Sequence, residues 1–251
     1  MATAEVHFHG ELNDFQPRER QARPFTYTFD RRAAIKDVIE ALDVPHTEVD
    51  IILINGQSVE FGAILHDGDR VAVYPWSTEP PVPNPQHLRP RPPAHPRFVL
   101  DTHLGRLARY LRLLGFDTRY RNDYSDPELA ACADEEARIL LTRDRGLLKR
   151  KRIALAHFVR NDDPWRQLEE ICAQFSLHDT FAPFTRCAHC NGTLQPVDKA
   201  RIIDRLAPKT RRYFDHFLQC DGCRQIYWEG SHVEHMHGLV ARLKRHRGAS
   251  G

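Results

Sequence analysis

The sequence predicts two folds in tandem: an acidic α+β unit, then a basic α/β unit built on a parallel sheet with helices on both faces. Three observations predict this. Nine of the chain's 17 prolines fall in residues 75 to 96, and proline neither donates to a ladder nor sits inside a helix, so this stretch reads as an extended, semi-rigid spacer. Residues 1 to 76 hold 7 Lys and Arg against 13 Asp and Glu, whereas the remaining 175 hold 29 against 21; the opposite signs mark two units and make the second the one to meet a polyanion. Before the prolines the apolar runs read strand, strand, helix, strand, strand; after them strands alternate with helices, the pattern of a parallel sheet. The expected divisions are 1–76, a linker over 77–96, a core over 97–180 and an appended cysteine-bearing segment over 181–245.

At 251 residues, with 41% hydrophobic and 28% charged, the chain can bury two modest cores. No stretch approaches the roughly 20 apolar residues of a membrane span, and MATAEVHFHG lacks the basic-then-apolar order of a signal peptide. The expectation is a cytoplasmic protein without membrane association. The terminal RHRGASG reads as frayed, and no internal repeat is present.

In the first unit, AEVHFH and FTYTF alternate as half-buried strands, with a hairpin connection between them. Asp30 can cap RRAAIKDVIEAL, whose Ala34, Ile35, Val38, Ile39 and Leu42 form one stripe. VDIILING follows with Asn55-Gly56 as a tight turn, then GDRVAVYP, entered through HDGD. That order is a β-grasp. INGQSV and HDGDRVAVYP resemble the ubiquitin-like sulfur-carrier proteins, which end in a free Gly-Gly; here the last strand runs into Pro75-Trp76. The unit is therefore expected to be a docking or regulatory module without an active site, onto which a protein partner can dock.

In the second unit RFVLD ends a short apolar run at Asp101, and THLGRLARYLRLLG puts Leu104, Leu107, Ala108, Leu111 and Leu114 on one helical face, stopped by Gly115. Arg106, Arg109 and Arg112 are expected on other faces. FDTRY is a second strand, and Ser125 or Asp126 can cap a helix with Pro127 in its first turn. ARILLT leads to Asp144, and IALAHFV is the fourth strand. In open parallel sheets ligands bind at the carboxyl ends of the strands. Asp101 and Asp144 belong there, and Asp126 opens the helix that leads back into the Asp144 strand. Three carboxylates at one edge would repel one another without a hard cation such as Mg2+ or Mn2+. Arg106, Arg109, Arg143, Arg145, Lys149 and Arg150 are the candidate phosphate contacts. Taken singly, a strand-end aspartate is a turn former or helix cap, and LKRKR is a solvated face.

RCAHCNG and QCDGCRQIYW supply two Cys-x-x-Cys pairs separated by 29 residues. In a reducing compartment such pairs bind metal, and four thiolates make a closed, structural zinc site at Cys187, Cys190, Cys220 and Cys223. The alternative is a redox pair. Cys132 and Cys172 read as small core residues, His189 as exposed, and Trp228 or Tyr227 as packed unless one stacks on a base.

FVLDTHLGRLARYLRLLGFDT, SDPELAACA, RILLTRDRGLL and the two cysteine pairs resemble the PIN-like ribonuclease domain named after the C-terminal part of the Mut-seven exonuclease, whose relatives can carry an N-terminal ubiquitin-like domain; His232, in YWEGSH, lies in the same pattern. The resemblance implies a PIN-like fold with a zinc ribbon, hydrolysing RNA through metal-bound acids. It puts Asp101, Asp126 and Asp144 in the acidic places, with Glu128 and Asp162 as candidates for a further acid. The rival readings are a non-catalytic RNA- or ribosome-associated binding module that uses the ribbon and the basic surface, and an antitoxin-controlled toxin sharing the fold.

Overall fold

The computed structural model describes residues 1–228, 238 and 240–243; His232 and the terminal RHRGASG lie outside the described residues. The chain divides into two compact units, Met1–Pro92 with Ser125–Phe158, and Pro93–Tyr124 with Val159–Gly251.

The first unit holds a five-stranded sheet built from β1 (Ala2–Phe8), β2 (Phe25–Phe29), β3 (Val49–Ile54), β4 (Gln57–Ser58) and β5 (Arg70–Pro75), in the order β2-β1-β5-β3-β4. Only β1 and β5 run parallel, with Val6 opposite Val71; β1 and β2 are antiparallel. Helix α1 (Ile35–Ala41) buries Ile35, Val38 and Ile39 against the sheet's Val6, Phe8, Ile52 and Val73. This is the β-grasp read from the sequence. Asn55 and Gly56 take φ of 53° and 81° and join β3 to β4 as the tight turn requires.

Two details differ from expectation. Asp30 does not cap α1, which starts five residues later. Ala34 bridges Ile64, and the N–H groups of Ile35 and Lys36 donate to the carbonyls of Ala63 and Phe61, so a crossing loop satisfies donors that a side-chain cap would otherwise take. The connection between β1 and β2 is two 3-10 turns, and it sends Leu12 and Phe15 into the core.

The proline-rich segment is tied down in its middle. Val82 packs on Ile51, Leu53 and Tyr74. His87 Nδ1 lies 2.6 Å from Asp50 Oδ2, and the Leu88 and Arg89 N–H groups donate to the Asp50 carbonyl and Oδ1 at 2.7 and 3.2 Å.

The same unit contains α3 (Asp126–Glu135), β8 (Ile139–Thr142), α4 (Arg145–Leu148) and β9 (Ala156–Phe158), with β8 and β9 parallel. The β-grasp grips this segment directly. Phe15 meets Phe158 edge-on at 5.3 Å. The Arg145 guanidinium lies over both rings and donates to the Asp14 carbonyl. Thr47 Oγ1 donates to the Leu148 carbonyl, the Phe158 N–H donates to the buried Glu48 carboxylate at 2.8 Å, and Arg89 donates to the Ala156 carbonyl at 2.7 Å.

The second unit opens with β6 (Phe98–Leu100), α2 (Gly105–Leu113) and β7 (Thr118–Tyr120), with β6 and β7 parallel. The predicted stripe Leu104, Leu107, Ala108, Leu111 and Leu114 is wholly buried, and Gly115, at φ 94°, ends the helix where Ala182 packs so close that a Cβ would lie 2.1 Å from its carbonyl oxygen. After α5 (Pro164–Gln174) come β10 (Leu194–Pro196), α6 (Lys199–Ile202), α7 (Pro208–Tyr213), β11 (Phe217–Cys220) and β12 (Ile226–Trp228). Strands β10, β11 and β12 form a three-stranded antiparallel ribbon. The expected class therefore stands: mixed α/β with a parallel sheet flanked by helices, a ribbon and a preceding β-grasp. Cys172 is buried on α5, which pushes its thiol up to about 12, and Cys132 is half-buried on α3, as small core residues should be. Among the described residues no helix is long and apolar enough to cross a membrane.

Candidate functional site

The four cysteines sit on two equivalent turns. In each, the residue after the second cysteine donates its N–H to the carbonyl of the first: Asn191 to Cys187 at 2.9 Å and Arg224 to Cys220 at 3.2 Å. Both donors take a left-handed φ, 72° and 61°. The turns bring Cys187 Sγ within 3.6 Å of Cys223 Sγ and Cys190 Sγ within 3.4 Å of Cys220 Sγ, and all four sulfurs lie within 4.8 Å of one another. A disulfide would need about 2.05 Å. A tetrahedron of thiolates about 2.3 Å from zinc has edges of about 3.8 Å. The cluster fits a bound metal such as zinc.

The charge states argue the same way. Loss of solvent and hydrogen bonds from the neighbouring thiols push Cys223 up to about 12, and loss of solvent also raises Cys220. At Cys190 burial acts upward too, but the Gly192 N–H and neighbouring thiol donors outweigh it and bring the thiol down to about 7. Without a cation Cys220 and Cys223 keep their protons. A metal displaces them and takes the thiolates.

The surroundings of the cluster are built. Tyr227 Oη lies 3.1 Å from Cys187 Sγ and accepts the Ala188 N–H. Arg112, expected on a face of α2 other than the apolar stripe, is buried at 5% exposure. Its Nε donates to the Thr118 carbonyl at 2.9 Å and its Nη1 to the His189 carbonyl at 2.8 Å. Asn191 closes the joint, with Oδ1 accepting the Thr118 N–H and Nδ2 donating to Asp117 Oδ1. The first cysteine turn is thus bonded to α2 and to the edge of β7. Gly192 leaves room for the cluster, since a Cβ there would lie 2.8 Å from Cys220 Sγ. His189 is exposed and outside the ligand set.

The aspartates occupy local posts. Asp101 follows β6, is buried, and its Oδ1 accepts from the N–H and hydroxyl of Thr102. Asp144 follows β8, and its Oδ1 caps α4 by accepting from Gly146 and Leu147 at 2.7 and 3.3 Å. Asp126 is the first residue of α3 and pairs with Arg150 at 3.1 Å. Glu128 is held in a capping box, accepting from the N–H and hydroxyl of Ser125 at 2.8 and 2.6 Å. Asp162 is exposed in the turn before α5, beside Asp163, which caps that helix. Asp126 and Asp144 belong to the first unit, Asp101 and Asp162 to the second. Among the described residues, the one set of three or more metal-capable side chains within 4.8 Å is the cysteine cluster.

Residues 96–240 match the model of the Mut7-C RNAse domain. The chain belongs to the Mut7-C RNAse domain family. Residues 1–80 match the Mut7-C ubiquitin domain, so both halves of this Mut7-C chain have a counterpart. A search of curated proteins finds no match. Among solved structures the chain is similar to the small archaeal modifier protein 1 of H. volcanii, with 21% identity over 30% of this chain and 98% of that one and a TM-score of 0.25.

The basic residues expected to meet RNA fall into two groups. In the Mut7-C chain Arg106 and Arg109 are exposed on α2, and Arg143 is half-buried beside Asp144. Arg145 is held by the Phe15 and Phe158 rings, Lys149 pairs with Asp43 at 3.1 Å, and Arg150 pairs with Asp126. Sequence reading missed the roles of Arg112, Asn191 and Tyr227 around the cysteines. Spacing alone could have found Arg112, which stands four residues after the buried Ala108 on the edge of the apolar stripe.

Proposed function

We propose that this Mut7-C protein is a metal-dependent ribonuclease of the PIN-like type, hydrolysing RNA phosphodiester bonds in the cytoplasm with Asp101, Asp126 and Asp144 as its acids. The observation that carries the reading is the family match over residues 96–240, in which Asp101 and Asp144 each follow the carboxyl end of a parallel strand. The donors suit a hard cation: carboxylate oxygens, with Asp144 using Oδ1 for both cap bonds so that Oδ2 lies outside the cap. Mg2+ or Mn2+ held there would supply an activated water and stabilise developing negative charge. The cap bonds fix the carboxylates of Asp101 and Asp144, so little reorganisation is needed when charge develops. Arg106 and Arg109 would meet the RNA backbone, joined by Arg143, Arg145, Lys149 and Arg150 to the extent that phosphate replaces their present partners. Zinc on the four cysteines is structural. The β-grasp holds α4, the helix that Asp144 caps, and is the surface on which a protein partner would dock.

The second reading is a non-catalytic RNA- or ribosome-associated module. It is favoured by Asp126 and Glu128, whose carboxylates are engaged by Arg150 and Ser125. One experiment separates the two. Asp144→Asn keeps an Oδ1 acceptor for the α4 cap, because asparagine caps as well as aspartate. The expected outcome is an unchanged thermal midpoint with Mn2+-dependent cleavage of single-stranded RNA reduced by about 100-fold or more, the scale of losing one preorganised group that stabilises developing charge. Unchanged cleavage removes Asp144 from the site; a wild type that binds RNA without cutting it establishes the second reading.

A further inference from the structure

The cations of the ribbon's insertion differ from those of the Lys149–Arg152 stretch in what balances them. In the first unit Lys149 pairs with Asp43, Arg150 with Asp126, and Arg152 with Asp134 and Glu135. In the ribbon's insertion between β10 and β11 the pattern changes. Arg205 donates to the Arg224 carbonyl at 2.8 Å, and Arg211 donates to the Ile203 carbonyl at 2.7 Å. A carbonyl orients a guanidinium without cancelling its charge. Lys199 pairs with Asp215 at 2.8 Å, while among the described residues Arg201, Lys209 and Arg212 have no carboxylate within 4.0 Å.

The local fold explains why these side chains face outward. Ile202, Leu206, Phe217 and Ile226 form the small core of the insertion, with Phe214 and Trp228 packed against it. Thr210 is the buried residue of α7, which leaves Lys209, Arg211, Arg212 and Tyr213 exposed. Tyr213 is 67% exposed, and among the described residues the other large apolar side chain standing so far into solvent is the N-terminal Met1. A single exposed aromatic means little by itself. Here the Arg212 guanidinium lies 5.7 Å from its ring centroid, and Lys209 and Arg211 stand exposed on the same short helix.

We propose that the ribbon's insertion, centred on Tyr213 with Lys209, Arg211 and Arg212, is a docking surface for single-stranded RNA. The ring stacks on an unpaired base and the cations meet the flanking phosphates. The chemistry selects that partner: a flat ring offers stacking to any exposed base, and the flexible basic side chains track a backbone without reading sequence. A duplex presents no free base face to Tyr213. The inference rests on RNA as the ligand of this chain and adds a binding site apart from the acids that would cut it.

The test measures binding and cleavage separately on the full zinc-loaded protein. Fluorescence anisotropy with a labelled single-stranded RNA, without added Mg2+ or Mn2+, gives affinity and its salt dependence. Tyr213→Ala should weaken binding roughly 5- to 150-fold, the range for losing one base stack, while Tyr213→Phe retains it. The triple variant Lys209→Gln, Arg211→Gln, Arg212→Gln should lower the slope of log affinity against log salt by about 2, at about 0.7 per single-strand phosphate contact. Thermal midpoint and zinc content should be unchanged, because these side chains lie outside the core and the cysteine cluster. Weakened binding in the variants upholds the surface even if no cleavage by the wild type is ever detected. Unaltered affinity and salt slope in both variants, or equal effects on single-stranded RNA and duplex DNA, overturn it even if cleavage is robust.

Discussion

The four cysteines and the three aspartates were chosen by the same kind of argument, residue types that need a cation to sit together, yet the structure treats them differently. The cysteines meet with sulfurs within 4.8 Å. Each aspartate has instead a local partner: Thr102 for Asp101, Arg150 for Asp126, and the first N–H groups of α4 for Asp144. A Cys-x-x-Cys pair carries most of its geometry within one turn, here a left-handed residue and one backbone bond, so only two such turns need to meet. An aspartate at a strand end has a sufficient job without any metal. Cap and ligand are indistinguishable by residue type, and only a change that keeps one role while removing the other separates them.

The largest expected effect is on the cysteine side. Cys187→Ser or Cys220→Ser removes a buried ligand. Binding energy at a structural thiolate site is folding energy, on the order of 10 kcal/mol in small zinc domains. Elemental analysis should fall from about one zinc per chain toward none, and amide exchange should rise across β10, β11 and β12. A variant that stays fully folded without zinc would show that the cluster is not structural.

A smaller effect is expected where the cluster joins the rest of its unit. Arg112→Met keeps the length and apolar stem of the side chain but leaves the carbonyls of Thr118 and His189 without their buried donor. Each orphaned carbonyl costs about 1–3 kcal/mol. The thermal midpoint should drop, and zinc should be released to a competing chelator at lower chelator concentration, because the first cysteine turn has lost its anchor on α2 and β7. Arg112→Lys should recover part of this, since an ammonium restores charge but cannot span both carbonyls. A normal zinc affinity in Arg112→Met would mean the two parts of the unit are independent.

The sequence made legible what depends on short-range rules. The stripe of α2, the Gly115 stop, the Ser125 cap and the cysteine turns each follow from spacings of four residues or fewer. Arg112 was read onto a face away from the apolar stripe, although its position beside that stripe put it next to Leu111 and Ala108. The start of α1 was misread because the N–H groups of Ile35 and Lys36 are satisfied by Ala63 and Phe61, 28 and 25 residues further along the chain. The grip of the β-grasp on α4 was not legible at all. It joins Thr47 to Leu148 and Phe15 to Phe158, pairs more than a hundred residues apart, and no periodicity announces a contact of that range.

The smallest expected effect on stability is also the sharpest comparison of cap with ligand. Glu128 closes the capping box of α3 through Ser125, and glutamine can fill the same place. Glu128→Gln should therefore move the thermal midpoint by less than the ~1 kcal/mol that Ser125→Ala costs through loss of the cap. If Glu128 only caps, RNA cleavage is unchanged in Glu128→Gln. If it is the further acid of the site, cleavage falls while stability holds, because a neutral amide keeps the box but binds a divalent cation far less well than a carboxylate. Measuring both quantities on the two variants decides the role. Loss of stability without loss of cleavage in Ser125→Ala, beside loss of cleavage without loss of stability in Glu128→Gln, would show one carboxylate performing both tasks.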